Sequence, residues 1–110
     1  MTLQITDMPE RKRLEADLGG GDLAFAAYNR LTNAIMFTHT EVPPGHEGEG
    51  IGSAIIRYSL DAARREGLKV MPVCPFYASY MKRHAETHDL LDPSYAKLLG
   101  VTGTDGPAAG

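Results

Sequence analysis

Glycines crowd the stretch immediately before a predicted helix, at Gly45, Gly48, Gly50 and Gly52. A helix begins with backbone N–H groups that have no partner inside the helix, and the positive end of its dipole lies there. Because glycine has no Cβ, a phosphate group can approach these N–H groups closely. The segment therefore predicts a site for a phosphate or diphosphate. A plain tight turn, which also favours glycine and proline, is the alternative.

Neither of two widespread phosphate-binding patterns accounts for these glycines. A Walker loop needs Gly-Lys-Ser/Thr after four intervening residues, whereas Gly45 is followed by Gly50 and Gly52 with no lysine. A dinucleotide fingerprint needs Gly-x-Gly-x-x-Gly, and after Gly48 and Gly50 the third glycine is misplaced at Gly52. We therefore exclude both kinds of loop.

A second group of reactive type is the thiol of Cys74, the single cysteine of the chain. Pro75 and Phe76 follow it, and a helix can begin there because proline is tolerated in a first helical turn. A thiol beside a helix N-terminus is favoured as thiolate. Cys74 is therefore a candidate proton donor or nucleophile. The alternative is a small buried hydrophobic residue, which is the commoner fate of free cysteine.

Histidines and a carboxylate supply candidate bases. His39 can take a proton from an attacking amine or orient the thiol, and Glu41 is a second candidate. The alternatives are a strand histidine satisfied by a neighbour and a solvated carboxylate. His84 and His88 are spaced so that they could share one helix face, but no third ligand is evident. We therefore predict no metal site.

The elements that would position these residues follow from the apolar pattern. Residues 11–18 predict a short edge strand, and 22–31 and 34–42 predict two more, joined by short turns into an antiparallel meander. Apolar residues at helical spacing follow the glycines, and Gly67 is a natural end for that helix. The apolar run 68–74 predicts a buried strand that pairs in parallel, because strand–helix–strand crossovers join parallel strands.

Two more helices are predicted after that strand. One covers residues 75–86, and the other covers 92–99 with Asp92 as its cap and Pro93 at its first position. The glycine-rich segment 100–110 has little to bury and is predicted to be a flexible tail. Residues 1–99 are therefore predicted to form a single domain.

Composition narrows the class of protein. The 110 residues are 43% hydrophobic, which suits one domain with its own core. The net charge of −3 gives no basic field, and this argues against nucleic acid as a partner. We see no signal peptide and no apolar run near the length of a membrane span. One cysteine fits a reducing compartment, so we expect a cytoplasmic protein.

The stretch EGEGIGSAII, residues 47–56, resembles the acyl-CoA loop of the GNAT N-acetyltransferase superfamily, whose pattern is Arg/Gln-x-x-Gly-x-Gly/Ala. Gly50 and Gly52 fall on the two small positions. The Thr-His-Thr run at 38–40 and the Cys-Pro-Phe run at 74–76 are similar to motifs of a small stand-alone, single-domain branch of that superfamily. The resemblance covers roughly residues 4–91, and the ordered set of motifs makes it specific.

The resemblance implies that acetyl-CoA is the cosubstrate and that its diphosphate lies on the amides of the loop. The implied N–H donors are those of Gly48, Glu49, Gly50, Ile51, Gly52 and Ser53. The pantetheine arm would pair with the backbone of Thr40, Glu41 and Val42. The thioester would then lie near His39 and Cys74, which are the implied catalytic residues.

One residue departs from the superfamily pattern. Glu47 stands where the pattern has Arg or Gln, and Glu49 adds a second carboxylate. Two anions beside a diphosphate should repel it, unless their side chains turn into water. We therefore expect the substitution Glu47→Arg to tighten the binding of CoA.

These observations predict an N-acetyltransferase that moves an acetyl group from acetyl-CoA to a primary amine, on a protein lysine or N-terminus or on a small molecule. The predicted fold is α/β, a GNAT-like mixed sheet with helices packed on it and a split near the parallel strands. A non-catalytic acyl-CoA-binding or protein-interaction module, in which Cys74 only packs, is the alternative, and a nucleotide-phosphate binder is a further one. We expect a monomer or a weak homodimer.

Overall fold

A five-stranded mixed sheet forms the frame of the protein in the computed structural model, which describes residues 3–101. The strands are β1 (Ile5–Met8), β2 (Arg13–Gly19), β3 (Asp22–Arg30), β4 (Ala34–Glu41) and β5 (Lys69–Pro72). They lie side by side in chain order. The pairs β1–β2, β2–β3 and β3–β4 are antiparallel, and β5 pairs in parallel with β4. The predicted α/β fold, a meander followed by a parallel crossover strand, is confirmed.

Three α-helices and two 3₁₀ turns complete the described chain. The helices are α1 (Ile51–Glu66), α2 (Pro75–Arg83) and α3 (Pro93–Leu99), and the 3₁₀ turns are Pro9–Arg11 and Ala85–Leu90. Gly67 ends α1 in the left-handed conformation, with its N–H bonded to carbonyls of the last turn. The carboxylate of Asp92 accepts from the N–H of Ser94 and caps α3. Both predicted caps are confirmed.

Helices α1 and α2 pack on the same face of the sheet. The ring of Phe37 on β4 stacks on that of Tyr77 in α2, with 4.2 Å between the ring centroids. The Tyr77 hydroxyl lies 2.8 Å from the Ser59 hydroxyl in α1. Small buried side chains, Ala24 and Ala26 of β3, belong to the same core. This arrangement places the beginning of α1 beside the beginning of α2, which is where the candidate site lies.

Two predicted elements differ from the structure. The strand predicted at 11–18 is not an edge strand, because β1 pairs with β2 along its outer side. The sequence gives little sign of β1, which is four residues long and has no buried residue. The helix predicted over 75–86 ends at Arg83, because His84 adopts an extended conformation and a 3₁₀ turn follows.

The boundaries of the last elements are also shifted. The strand predicted over 68–74 is shorter, at Lys69–Pro72. Gly100 and Val101 close α3 through backbone hydrogen bonds to Ala96 and Lys97. The rest of the predicted flexible tail lies outside the described residues.

Candidate functional site

The loop between β4 and α1 ends in an open helix N-terminus. Gly45, Gly48 and Gly50 have φ angles of 93°, 84° and 78°, a left-handed conformation that side chains disfavour. Gly50 is the N-cap of α1, and no side chain caps this helix within residues 3–101. The first amides of α1 are therefore available to an external acceptor.

The two carboxylates of the loop are directed at partners within the loop. An Oε1 atom of Glu47 accepts a hydrogen bond from the N–H of Gly45 at 2.9 Å. An Oε1 atom of Glu49 lies 3.0 Å from Nδ1 of His46. Neither carboxylate therefore caps the helix, and the repulsion expected between these carboxylates and a diphosphate stays a prediction.

His46 connects the loop to the sheet. Its Nε2 atom lies 2.9 Å from a carboxylate oxygen of Asp22, the first residue of β3. The carboxylates of Glu49 and Asp22 together raise the pKa of His46 above its ordinary value. The two carboxylates thus favour the protonated form of the ring at the side of the loop.

A groove of about 480 Å³ runs between the loop and the beginning of α2. Its lining residues are Val42, His46, Glu47, Gly48, Gly50, Ile51, Gly52, Ser53 and Phe76. The groove includes a close approach of Phe76 to Gly52, since a Cβ built on Gly52 would lie 2.6 Å from the Phe76 ring. Glycine at this position thus makes room for an aromatic wall.

A β-bulge in β4 determines which of its side chains face the core and which face the opposite side of the sheet. Tyr28 of β3 pairs with Phe37, but the preceding residue, Ala27, pairs with His39, so that Thr38 is an extra residue. An extra residue reverses the alternation of side chains along a strand. Thr40 therefore lies on the same face as Phe37, and His39 lies on the opposite face.

This reversal brings Thr40 to Cys74. The Oγ1 atom of Thr40 lies 3.5 Å from the Sγ atom of Cys74, and either can be the donor. Cys74 is the N-cap of α2, and its N–H bonds to the carbonyl of Phe37 at 2.8 Å. The thiol is 4% exposed and belongs to the hydrophobic core.

The structure does not bring His39 to Cys74. The His39 ring packs against Phe25, with 5.8 Å between centroids, and its Nε2 atom lies 3.4 Å from the carboxylate of Glu41. Both side chains are 60% exposed. His39 and Cys74 thus occupy opposite faces of the sheet, and the expected orientation of the thiol by His39 has no geometric support.

The two parallel strands separate at this point. Pairing between β4 and β5 ends at Phe37 and Pro72, whereas β4 continues to Glu41. The segment from Thr38 to Glu41 therefore extends beyond the parallel ladder without a β5 partner. The ladder ends where the split is predicted, and Thr40 and Cys74 lie just beyond its end.

Residues 13–90 match the family model described as GCN5-related N-acetyl-transferase. The match begins at β2 and includes the glycine loop and Cys74. The chain belongs to this family. As a GCN5-related N-acetyltransferase family member, it carries the expected crossover from β4 through α1 to β5.

Two similar proteins fit this assignment. A streptothricin acetyltransferase from Streptomyces lavendulae is 44% identical over 50 residues, which are 43% of this chain and 26% of that protein. The chain thus spans about a quarter of this curated relative. The NMR solution structure of a GCN5-like protein from Staphylococcus aureus has a TM-score of 0.66 at 23% identity, covering 82% of this chain and 88% of that one. This second likeness supports the fold.

Within this family member, only part of the predicted set lines the groove. Val42, Gly48, Gly50, Ile51, Gly52 and Ser53 do so. Glu49 lines a neighbouring groove of about 630 Å³ beside β2. Thr40 and Cys74 lie deeper, and His39 and Glu41 lie on the outer face of the sheet.

The sequence did not predict the contacts of three residues at the site, His46, Asp22 and Phe76. His46 precedes Glu49 by three residues, and this spacing was a local sign of the contact between them. Asp22 is distant in the chain and gave no sign. Phe76 was visible in the Cys-Pro-Phe run, but its contact with Gly52 depends on how α2 packs against α1.

His84 and His88 contact other groups of the chain. His84 stacks on Tyr80 with 4.0 Å between centroids, and Nε2 of His88 lies 2.8 Å from the carbonyl of Met81. They do not share a helix, since α2 has ended at Arg83. From Leu3 to Val101, no group of three or more His, Cys, Asp or Glu side chains is placed to hold a metal. No helix in the same range is long and apolar enough to cross a membrane.

Proposed function

We propose that the chain transfers an acetyl group from acetyl-CoA to a primary amine, on a protein lysine or N-terminus or on a small molecule. The observation that carries this proposal is the uncapped N-terminus of α1, which opens on a groove that borders the end of β4. Diphosphate and pantetheine are the two parts of CoA that such a helix end and such a strand can bind. Family membership supports the reaction class.

The donor is proposed to lie with its diphosphate on the loop. Gly48 and Gly50 line the groove in the left-handed conformation, and the helix dipole favours an anion there. The contacts of Glu47 with Gly45, and of Glu49 with His46, keep both carboxylates occupied. The proposed N–H donors are those of Gly48, Gly50, Ile51, Gly52 and Ser53. The N–H of Glu49, which the sequence also predicted as a donor, bonds to the carbonyl of His46 at 3.4 Å.

The pantetheine arm is proposed to enter the gap between β4 and β5. The backbone of Thr40, Glu41 and Val42 borders this gap without a β5 partner, since the parallel ladder ends at Phe37. An arm paired with this segment directs the thioester toward Cys74. The groove wall at Phe76 would limit how far the arm can move.

The reaction forms an amide and breaks a thioester. The amine nitrogen attacks the carbonyl carbon, the carbon–sulfur bond breaks, and the acetyl group stays on nitrogen. One proton leaves the amine and one proton is taken by the CoA thiolate. Holding both reactants in one complex supplies much of the rate, because it converts a bimolecular step into a unimolecular one.

Cys74 is proposed to give its proton to the leaving CoA thiolate and then to recover one from solvent. The hydrogen bond between Thr40 and Cys74 would fix the direction of the thiol. His39 is proposed to act as base from the other face, where its exposed ring can meet an incoming amine. The two residues would thus act on opposite sides of the gap.

The partners of the proposed enzyme are acetyl-CoA and an amine. The name of the streptothricin acetyltransferase supports acetyl transfer, but the chain spans only 26% of that protein, so its acceptor is not carried over. The acidic composition disfavours nucleic acid as acceptor. A single cysteine suits a reducing compartment, which supports a cytoplasmic location.

One observation favours a second candidate function. Cys74 is 4% exposed and packs in the core, as a purely structural cysteine would. A module that binds acyl-CoA without catalysis is therefore the alternative.

The decisive experiment mixes the protein with acetyl-CoA and a panel of amines, including lysine peptides, free N-termini and polyamines. Release of CoA and the intact mass of each amine are measured for the wild type, Cys74→Ala and Cys74→Ser, with and without a chelator. We expect acetylated amine and equimolar CoA from the wild type, no effect of the chelator, and a loss of about a hundredfold in Cys74→Ala.

Each other result has a defined meaning. Binding of acetyl-CoA without turnover of any amine favours the binding module. Full turnover by Cys74→Ala removes Cys74 from the mechanism and leaves acetyl transfer standing. No detectable association with acetyl-CoA contradicts both functions.

A further inference from the structure

We propose that His46 is the cationic residue of the donor loop: held between Asp22 and Glu49, its imidazolium keeps both carboxylates away from the diphosphate, so that acetyl-CoA binds tightly only when His46 is protonated. This inference rests on the proposed function, because it concerns the same loop. It gives the donor site a dependence on pH that the glycine pattern alone would not have.

The geometry requires both ring nitrogens of His46 to donate. Nδ1 lies 3.0 Å from Glu49 and Nε2 lies 2.9 Å from Asp22, and both partners are carboxylate oxygens. An ionised carboxylate only accepts hydrogen bonds, and a neutral imidazole has a single N–H. Both contacts can therefore be hydrogen bonds only in the imidazolium form. The observed pair of contacts thus describes the protonated state of the loop.

The position of His46 suits the role of a cation beside the diphosphate. Its ring lines the groove that holds the open amides of α1, and it also lines the neighbouring groove beside β2. The superfamily pattern that the loop resembles has Arg or Gln where this chain has Glu47. His46 lies one residue before Glu47, so its imidazolium supplies a positive charge beside that position.

The charges around His46 come from four elements. Asp17 on β2 accepts from the N–H of Gly19 and so already has a partner in its own turn. Arg57 on α1 lines the groove beside β2 and supplies a second cation there. Among residues 3–101, the ionisable groups that line the two grooves or contact His46 are Asp17, Asp22, Glu47, Glu49 and Arg57.

Loss of the proton from His46 has two consequences. One of the two hydrogen bonds is lost, so either Asp22 or Glu49 is released. Glu49 directly precedes Gly50, the N-cap of α1, and its released carboxylate would compete with a diphosphate for the same amides. If Asp22 is released instead, the loop loses its connection to β3. Affinity for the donor should therefore fall as the pH rises through the pKa of His46, which its two neighbours hold above the ordinary value.

The test measures the binding of 3′-dephospho-CoA by calorimetry from about pH 5.5 to about pH 8.5, the range in which histidine titrates. This probe keeps the diphosphate and lacks the 3′-phosphate, whose own titration near pH 6 would confuse the profile. For the wild type we expect affinity to fall about tenfold across the range, as expected for a charge a few ångströms from the ligand.

Variants of His46 and Glu49 separate the effect of charge on donor binding from any effect on folding. His46→Gln keeps one donor but cannot be charged, and should bind weakly at every pH with a flat profile. Glu49→Gln should bind at least as tightly as the wild type at high pH, because no carboxylate is released. The double variant His46→Gln/Glu49→Gln should recover the affinity that His46→Gln loses. His84→Gln, a histidine change away from the loop, should retain the wild-type profile.

A second measurement uses the native protein and does not depend on the folding of any variant. Nuclear magnetic resonance of the histidine rings, recorded across the same pH range, gives the pKa of His46 with and without dephospho-CoA. We expect this pKa to lie above that of an ordinary histidine and to rise further in the complex, since the ligand prefers the protonated form.

The outcomes are distinguishable. Binding by the wild type that does not change with pH, or a His46→Gln profile equal to the wild type, overturns the role of His46 and leaves acetyl-CoA binding intact. An unchanged pKa of His46 on ligand binding overturns it as well. If the wild type binds neither acetyl-CoA nor dephospho-CoA at any pH, the proposed function itself fails and this inference fails with it.

Discussion

The Thr40 hydroxyl lies 3.5 Å from the Cys74 thiol, although the two residues are 34 positions apart in the chain. The contact exists because the bulge at Thr38 turns Thr40 toward the core face of the sheet. The same bulge turns His39 outward. Because of this single extra residue in β4, Thr40 rather than His39 contacts the thiol of Cys74.

We predict that Thr40 acts as a positioning residue for Cys74. Thr40→Val removes the hydroxyl with little change in volume and should lower the turnover of acetyl-CoA by about five- to tenfold, the equivalent of one hydrogen bond. Thr40→Ser should retain most of the activity. The measurements are CoA release and the rate of Cys74 alkylation, which should change in Thr40→Val only.

His39→Gln provides a matched comparison on the same strand. It should leave the alkylation of Cys74 unchanged, because His39 lies on the other face of the sheet. Equal alkylation rates for the wild type and Thr40→Val would contradict a role for Thr40.

The site could be predicted from sequence only where the signal is local. The glycine loop, the start of α1 and the caps at Gly67 and Asp92 were all visible, because turn and cap chemistry depends on neighbouring residues. The neighbourhood of Cys74 was not. Regular alternation would put His39 on the same face as Phe37, and the extra residue that reverses it is defined by pairing with another strand.

Long-range contacts limited the rest of the prediction. His46 meets Asp22 across 24 residues of chain, and no pattern within either segment encodes this pairing. β1 was missed because its four residues are not buried and are followed by Pro9, which gives neither an apolar alternation nor sufficient length. The fold class was nevertheless predictable, since it depends on the order of strands and helices.

We predict that Gly52→Ala changes donor binding more than stability. The added Cβ would lie 2.6 Å from the Phe76 ring, so the ring must move. Phe76 is 45% exposed and can rotate, and alanine favours a helix by about 1 kcal/mol over glycine. The free energy of unfolding should therefore change by less than about 1 kcal/mol, whereas affinity for acetyl-CoA should fall as the groove wall shifts.

The double variant Gly52→Ala/Phe76→Ala gives the control for this prediction. Without the ring there is no clash, so adding Gly52→Ala to Phe76→Ala should cost less affinity than adding it to the wild type. Calorimetry gives the affinity of each variant for acetyl-CoA, and urea unfolding gives its free energy of unfolding. A large loss of stability in Gly52→Ala would mean that the ring cannot move.

We predict that removing the charge of Glu47 tightens CoA binding. Glu47→Gln retains an oxygen that can accept from the N–H of Gly45, and it restores the residue type of the superfamily pattern. Glu47→Arg adds a positive charge but cannot make that bond, and we still expect tighter binding. The gain for Gln should be about two- to threefold, because the carboxylate is screened by water. Weaker binding of CoA by Glu47→Gln, measured by calorimetry, would contradict this placement of the loop.

We predict unequal costs for the two partners of the buried hydroxyl pair. The Ser59 hydroxyl donates to the carbonyl of Ile56 at 2.8 Å, so it accepts from the Tyr77 hydroxyl. Ser59→Ala leaves the fully buried Tyr77 hydroxyl without a partner, at about 1–3 kcal/mol of unfolding free energy. Tyr77→Phe leaves Ser59 bonded to Ile56 and should cost about 1 kcal/mol or less.

The double variant checks the cause of this inequality. Ser59→Ala/Tyr77→Phe should be more stable than Ser59→Ala alone, because the orphaned hydroxyl is gone. Urea unfolding of the three variants gives the comparison. Equal costs for the two single changes would mean that a water or another group serves Tyr77.

We predict a loss of stability in alkali that depends on Tyr28. Burial and then the hydrogen bond from the Tyr28 hydroxyl to the Asp7 carboxylate, at 2.5 Å, raise the pKa of Tyr28 to about 12. An unfolded chain releases this proton near pH 10. The stability that Tyr28 contributes is therefore complete below about pH 10 and is lost as the pH rises toward 12.

Tyr28→Phe isolates this contribution. The wild type should exceed the variant in unfolding free energy at neutral pH by about 1 kcal/mol, the value of one hydrogen bond. Above about pH 10 this difference should shrink by about 1 kcal/mol for each pH unit, because the unfolded wild type gains from deprotonation and the variant does not. Urea unfolding of both proteins across this range gives the difference, and groups common to both cancel. A difference that stays constant through this range would mean that the hydroxyl of Tyr28 titrates alike in the folded and unfolded chains, and that its burial against Asp7 does not hold the proton.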